Sequence, residues 1–423
     1  MFLKFTLQNF RSFKDEHSIS FVATAIKGQE NSLIKRDNIS ILPVLGIFGP
    51  NSSGKSNIIF AYKKMRKLVL NSVKLNPGEK LDYDPFLLNK DTPHAPTKFE
   101  IEFFDSDIRY IYGFSYDSNE IKNEWLKQQK VGQKTYSLFL RVDNKLEYSQ
   151  KLFPEGKDRI QATSANRLFL SLCAQLNGPI SQKIINFFKK SGVVSGSKPD
   201  YYTGFSLNQL IDKSEKSQKA IEFFKRNQLG FSNLIVTQQK VSDILREDSS
   251  CITEAQRKAL LQIKDKVLLQ GDTIHNYYDD QGNKLGEINF DHEERESEGT
   301  KKIIAFSGPL FDALSNGLTI FADELDSQIH TSITRRIIEL FKNPKTNPHG
   351  AQLIFSANDI ALLDFDVLRR DQILFTRKNH YEMSKITPVT ELFGDKEKKQ
   401  KIRSDKLLRD KFCEGEFDYP SDI

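Results

Sequence analysis

Gly49-Pro50-Asn51-Ser52-Ser53-Gly54-Lys55-Ser56 matches the phosphate-loop pattern G-x-x-x-x-G-K-[ST] at every fixed position. Ahead of it, Leu42-Pro43-Val44-Leu45-Gly46-Ile47-Phe48 reads as a short buried strand, and Asn57 to Leu70 behind it reads as a helix. That order of strand, glycine loop and helix is what phosphate chemistry requires. Backbone N–H groups wrap the phosphates, the helix N-terminus adds partial positive charge, Lys55 reaches the outer phosphates, and the Ser56 hydroxyl ligates Mg²⁺. Gly49, Pro50, Asn51, Ser52, Ser53, Gly54, Lys55 and Ser56, with the following Asn57, are therefore the expected phosphate contacts.

The chain has 423 residues, 38% hydrophobic and 28% charged, which fits one large domain with insertions or two folded domains. A formal charge of +6 permits a nucleic-acid partner without requiring one. Lys63, Lys64, Arg66 and Lys67 form one basic cluster, and Lys396, Lys398, Lys399, Lys401 and Arg403 a second. Such runs are ordinarily solvated faces, and nucleic-acid contact there stays open. Cys173, Cys251 and Cys413 are odd in number and far apart, which argues against a disulfide framework and for a reducing cytoplasm. No signal-peptide pattern and no apolar run long enough to cross a bilayer is present, so a cytoplasmic protein without a membrane partner is expected.

Working outward, Phe2 to Phe10 and His17 to Val22 alternate as a hairpin, and Thr97 to Phe104, Ile108 to Tyr116, Ile121 to Lys130 and Thr135 to Tyr148 continue as an antiparallel sheet. From 159 to 270 the period becomes helical, with Ile180, Ile184, Ile185 and Phe188 on one face, and with Ile211 to Phe224 and Thr253 to Leu269 read the same way. Gly192 to Gly204 reads as a break. A hairpin turning at Asp280-Gln281-Gly282-Asn283 follows, then a helix from Gly299, a strand Leu318 to Ala322, a helix Thr331 to Lys342, strands Ala351 to Phe355 and Asp371 to Phe375, and a basic helix Lys396 to Asp410. The expected division is an N-terminal lobe at 1–158, a helical insertion at 159–270 and a C-terminal lobe at 271–423. His275, Asp279, Asp280, His292 and Glu294 surround the second hairpin, but no metal-site spacing fits them, and they read as its solvated polar tip.

A phosphate loop needs a carboxylate on a neighbouring strand. Leu318-Thr319-Ile320-Phe321-Ala322-Asp323 supplies one at the end of an apolar run, the pattern of a buried parallel strand. Asp323 is the expected partner of Ser56 in holding Mg²⁺. The adjacent Glu324 is placed to orient and deprotonate an attacking water, so two successive carboxylates divide metal binding from general-base work.

These motifs resemble a known class. Asp323-Glu324-Leu325-Asp326 resembles the Walker B motif and D-loop of ABC-type ATPases, and Ser297-Glu298-Gly299-Thr300-Lys301-Lys302 resembles their degenerate signature motif. Asn9-Phe10-Arg11-Ser12-Phe13 resembles the N-F-[KR]-x-F start of the RecF, SMC and OLD branch. Within that branch the likeness is to prokaryotic anti-phage ATPases of the AbiL and RloB-associated kind, across roughly 1–125 and 270–423. It implies an α/β fold: a P-loop ABC-type ATPase head with a mixed sheet, flanking helices, an antiparallel β subdomain and a helical insertion. It also implies ATP and Mg²⁺ as cofactors, with Lys55, Glu324 and Asn358 as catalytic groups and with Arg11 and Asp326 among the nucleotide contacts.

As partners the resemblance implies a homodimer or higher homo-oligomer with composite sites, where the Ser297 hydroxyl and Gly299 N–H of one protomer meet the γ-phosphate held by another. The role implied is a sensor or regulatory ATPase of a bacterial anti-phage system with a separate nuclease-like effector. The 65 residues after Asn358 are too few for the nuclease domain that OLD-type chains carry there, so that effector is expected to act in trans. Read alone, Ser297 to Thr300 is an ordinary capped helix start. The family usually has a histidine after the strand that follows Walker B. Here Phe355-Ser356-Ala357-Asn358-Asp359 puts Asn358 in that position, a side chain that donates a hydrogen bond but carries no charge. Slow hydrolysis, or ATP serving mainly as a clamp, is the expected consequence. No glutamine can be assigned to the family's Q-loop. A DNA-binding ATPase of the RecF or SMC type and a non-hydrolysing scaffold remain as alternatives at this level.

Overall fold

The alternation at the N-terminus seats Phe2, Phe5 and Leu7 in the core as strand β1 (Phe2–Gln8), which pairs antiparallel with β2 (His17–Ser20). This is seen in a computed structural model that describes residues 1–392, apart from 37, 144 and most of 246–264, together with 408–410, 412 and 414. The chain divides into two units: Met1–Ser195 with Asn316–Asp326 and Thr334–Ile423, and Gly196–Ser315 with Ser327–Ile333.

In the first unit a short pair, β3 (Ile34–Arg36) and β4 (Ile39–Ile41), leads into β5 (Val44–Phe48), every residue of which is buried. β6 (Thr97–Asp105), β7 (Ile108–Tyr116), β8 (Ile121–Lys130), β9 (Tyr136–Val142) and β10 (Lys145–Tyr148) extend from β1 as an antiparallel sheet ordered β10-β9-β8-β7-β6-β1-β2. Two buried glutamates cap the helices that follow. Glu124 accepts from the N–H groups of Phe169 (2.7 Å) and Leu170 (3.0 Å) at the start of the helix Phe169–Gln175. Glu155 accepts from Ile180 and Ser181 N–H, each at 2.8 Å, at the start of Pro179–Lys190. Both satisfy donors that a helix leaves unpaired in its first turn.

The chain then returns as β11 (Ser191–Ser195) and, in the second unit, makes β12 (Asn233–Lys240), β13 (Val267–Tyr278) and β14 (Lys284–Asp291), a three-stranded antiparallel sheet. Back in the first unit come β15 (Thr319–Asp323), β16 (Gln352–Ser356), β17 (Ile373–Lys378) and β18 (Ser384–Pro388). The core sheet runs β11-β15-β16-β5-β17-β18 and is parallel apart from the last pair. β5 therefore sits between β16 and β17, and the carboxyl ends of the parallel strands share one edge, where ligands of open α/β sheets bind.

The expected mixed α/β architecture with an antiparallel subdomain is what forms, but the middle of the chain differs from its sequence reading. The helices Phe169–Gln175 and Pro179–Lys190 belong to the first unit, whose boundary falls at 195 rather than 158. The apparent break after Gly192 begins inside β11, an edge strand whose Ser-Gly start masks a pairing made only against distant β15. Strand β12 replaces expected helix, and Val267 to Leu269 belong to β13. The run Ile211 to Phe224 falls mostly in the helix Glu215–Arg226, capped by Ser214, whose side chain accepts from Ser217 N–H, while Ile211 ends a separate helix, Asp200–Ile211. Most of Thr253 to Lys266, all five residues of the second basic cluster, Cys251 and Cys413 lie outside the described residues. Cys173 is buried and free, and burial pushes its thiol up to about 12.

The longest helix of the second unit, Glu298–Asn316, contains Pro309, which has no N–H to offer the carbonyl of Ala305. Ser206 Oγ donates to that carbonyl at 2.5 Å and accepts from Gly308 N–H at 3.0 Å. Gly308 is needed for this approach, because a Cβ there would lie 2.4 Å from Ser206 Oγ. Ser206→Ala should therefore leave a buried carbonyl unpaired and cost about 1–3 kcal/mol, read as a lower urea midpoint at unchanged m-value. A midpoint equal to that of the parent chain would show that the helix satisfies Ala305 by other means.

Candidate nucleotide site

The loop leaves β5 at Gly49, with φ +151°, and enters the helix Lys55–Asn71 at Gly54, with φ +109°. A Cβ at 49 would lie 2.2 Å from the Thr376 carbonyl oxygen, and one at 54 would lie 2.5 Å from Ser384 Oγ. Both glycines are thus required by backbone conformation and by close approach.

A chain of hydroxyls fixes the underside of this loop. Ser384 Oγ lies 2.7 Å from the Ser53 carbonyl and 2.8 Å from Ser12 Oγ, which in turn accepts from Asn57 Nδ2 at 2.8 Å. Thr376 Oγ1 donates to the Phe48 carbonyl at 3.2 Å, so Ser53 Oγ donates to Thr376 at 2.6 Å. The Ser53 side chain therefore points down into the support rather than toward a ligand. Ser12, Thr376 and Ser384 escaped the sequence reading because they come from three separated segments, with no local motif to link them.

Arg11 joins the same network, donating from Nη1 to Asn57 Oδ1 at 3.4 Å and from Nε to Asp84 at 2.7 Å. Its guanidinium lies 4.8 Å from the Phe60 ring centroid, a cation–π contact with the helix that follows the loop. Lys55 is buried and donates to the carbonyls of Gly49 (2.7 Å) and Pro50 (3.0 Å). Burial lowers its pKa below the usual lysine value, and the nearby Asp326, Asp323 and Glu324 partly oppose that shift.

Strand β16, between β5 and β15, delivers Ser356 to the carboxylates. Its Oγ donates to Asp323 Oδ1 at 2.7 Å and accepts from Glu324 N–H at 2.8 Å. Glu324 sits at φ +52°, an unusual conformation for a residue with a Cβ. Backbone strain of this kind concentrates at functional sites. Asp326 Oδ2 accepts from the N–H groups of Asn358 (2.8 Å) and Asp359 (2.7 Å), while its buried Oδ1 has no hydrogen-bond partner.

Residues 51–57, Glu324 and Asn358 line one cleft of about 170 Å³. The structure thus brings together the phosphate loop, the second carboxylate and the residue in the histidine position, with Asp323 behind them and Arg11 at the Asn57 side. The donor set suits a Mg-nucleotide: two glycines open the loop backbone, a buried cation stands beside it, and the Ser56 hydroxyl and Asp323 carboxylate offer the oxygen ligands that Mg²⁺ prefers. Ser297 and Gly299 belong to the second unit. There Ser297 Oγ accepts from Thr300 N–H at 3.2 Å, so it caps its helix, and a Cβ at Gly299 would lie 2.7 Å from the Gln328 carbonyl oxygen. His275, on the nearby hairpin, contacts Glu296 at 2.9 Å, and Asp279 accepts from N–H groups of its own turn.

Fold and loop define a P-loop ATPase domain of the ABC/AAA type. Residues 44–364 match the family described as AAA domain, putative AbiEii toxin, Type IV TA system, and the chain belongs to that family. No curated protein matches it in sequence. Among solved structures it is similar to an SmcHead bound to the C-winged helix domain of ScpA, at 13% identity over 94% of this chain and 99% of that one, with a TM-score of 0.43. It is also similar to the recombination mediator protein RecF-ATPrS in the RecFOR pathway, at 13% identity over 91% and 98%, with a TM-score of 0.28. Likeness this loose carries no functional argument. Among the described residues no helix is long and apolar enough to cross a membrane.

Proposed function

We propose that this chain binds Mg-ATP at Gly49 to Ser56 and hydrolyses it in a site completed by a second copy of itself. Lys55 and the loop N–H groups hold the phosphates, and Ser56 and Asp323 hold Mg²⁺, which neutralises charge on the phosphate oxygens. Glu324 orients a water and takes its proton, and Ser297 and Gly299 of the other protomer close over the γ-phosphate. Charge developing on that group would then be stabilised only when two protomers meet.

The observation that carries this reading is the cleft itself. Its volume of about 170 Å³ falls below the roughly 300–1,000 Å³ of pockets that enclose a whole small molecule. It suits phosphates whose remaining faces another body covers. The motif resemblance carries the wider role we infer, a regulatory ATPase in a bacterial anti-phage system that works with a separate nuclease-like effector, while the family description names a putative toxin of a toxin–antitoxin system. Asn358 in the cleft wall favours slow turnover, in which ATP holds the assembly together between rare hydrolytic events.

Sedimentation with and without Mg-ATP tests the composite site. The expected result is a nucleotide-dependent doubling of mass, lost in Ser297→Arg while ATP binding persists. A mass indifferent to ATP would sink the dimer reading.

A further inference from the structure

We propose that the turn between β17 and β18 is the base-recognition element of the nucleotide site, with the rings of His380 and Tyr381 forming a platform for a purine. The inference rests on the nucleotide reading above and deepens it. In register, Phe375 of β17 lies opposite Phe48, the last residue of β5 before the phosphate loop. β17 continues through Thr376, Arg377 and Lys378, so the turn at 379–383 rises roughly 10 Å beyond the level at which the loop begins. The returning strand starts at Ser384, which is bonded to the loop carbonyl of Ser53 and, through its own N–H, to the Ser12 carbonyl at 2.7 Å. Tyr381 lies three residues from Ser384, a span of at most about 10 Å, which keeps its backbone close to the loop that Ser384 supports.

The turn is held in one shape. Asn379 Oδ1 accepts from Tyr381 and Met383 N–H, each at 3.0 Å, and Asn379 N–H donates to the Met383 carbonyl at 3.0 Å. On this fixed turn the His380 and Tyr381 ring centroids lie 3.7 Å apart with their planes tilted by 46°, so His380 braces the Tyr381 ring, which is 62% exposed. The aromatic residues of the other adjacent turn, Phe10 and Phe13, are fully buried and cannot face a ligand. A cleft that houses only the phosphates leaves the base outside it. An exposed aromatic ring on a fixed turn this close to the loop offers a π-face for stacking, which every purine can use.

Calorimetric titration of the full chain with ATP and with inorganic tripolyphosphate, both with Mg²⁺, separates base from phosphate contacts. Tyr381→Ala is expected to weaken ATP binding about tenfold with tripolyphosphate affinity unchanged, and Tyr381→Phe is expected to restore ATP binding. If Tyr381→Ala weakens both ligands alike, the turn merely shapes the phosphate loop, and if it weakens neither, the base lies elsewhere. Either result overturns the platform alone. Binding of neither ligand by the parent chain would overturn the nucleotide reading and the platform with it.

Discussion

Glu324→Gln is expected to lower ATP turnover by about 10²–10⁴-fold while leaving ATP affinity nearly unchanged. The two successive carboxylates at the end of β15 are not equivalent. Asp323 is buried and accepts from the Ser356 hydroxyl, which fixes the carboxylate that is proposed to hold Mg²⁺. Glu324 is turned by its φ of +52° so that it lines the cleft with the loop and Asn358. Glutamine keeps the volume and a hydrogen-bonding oxygen at that position but cannot take a proton from water. Phosphate release measured beside equilibrium binding separates the two roles. Turnover within tenfold of the parent chain would remove Glu324 as the base. Parent turnover at background, with ATP-dependent assembly intact, would instead make ATP a clamp, as Asn358 suggests.

Glu324 also shows how far the sequence could be read. The glycine loop, the apolar run into Asp323 and the alternating N-terminal strands were legible because each is a local pattern, complete within ten residues or so. The supports of the site were not. Ser356 joins the Asp323 carboxylate to the Glu324 backbone only because β16 lies between β5 and β15, and Ser12, Thr376 and Ser384 gather under Ser53 only after three distant segments converge. β11 was hidden for the same reason, since a five-residue Ser-Gly-Val-Val-Ser strand has too few residues to show a period and is defined by its partner. Conversely, Ser297 was read both as a signature serine and as a helix cap. The cap is present in the structure, where Ser297 Oγ accepts from Thr300 N–H and lies 2.9 Å from Thr300 Oγ1, a contact in which either hydroxyl can donate.

The second large effect is expected at Lys55. Its ammonium is buried, its pKa is lowered chiefly by that burial, and its hydrogen bonds to the Gly49 and Pro50 carbonyls return only part of the lost hydration. A phosphate replaces neutral carbonyls with a charged acceptor, and charge-assisted hydrogen bonds are roughly twice as strong as neutral ones. Lys55→Ala should therefore weaken ATP binding by about 100-fold or more, the range found when a site loses one donor aimed at concentrated negative charge. The unliganded fold should change little, because removing a desolvated cation offsets the loss of its two hydrogen bonds. Thermal unfolding with and without Mg-ATP exposes this asymmetry. At 100 times its dissociation constant, ATP should stabilise the parent chain by about 2.7 kcal/mol, and the same concentration should leave Lys55→Ala nearly unshifted from an apo midpoint close to that of the parent. An undiminished ATP-induced shift in the variant would mean that the lysine stays on its own loop carbonyls and that the phosphates are held by the backbone alone.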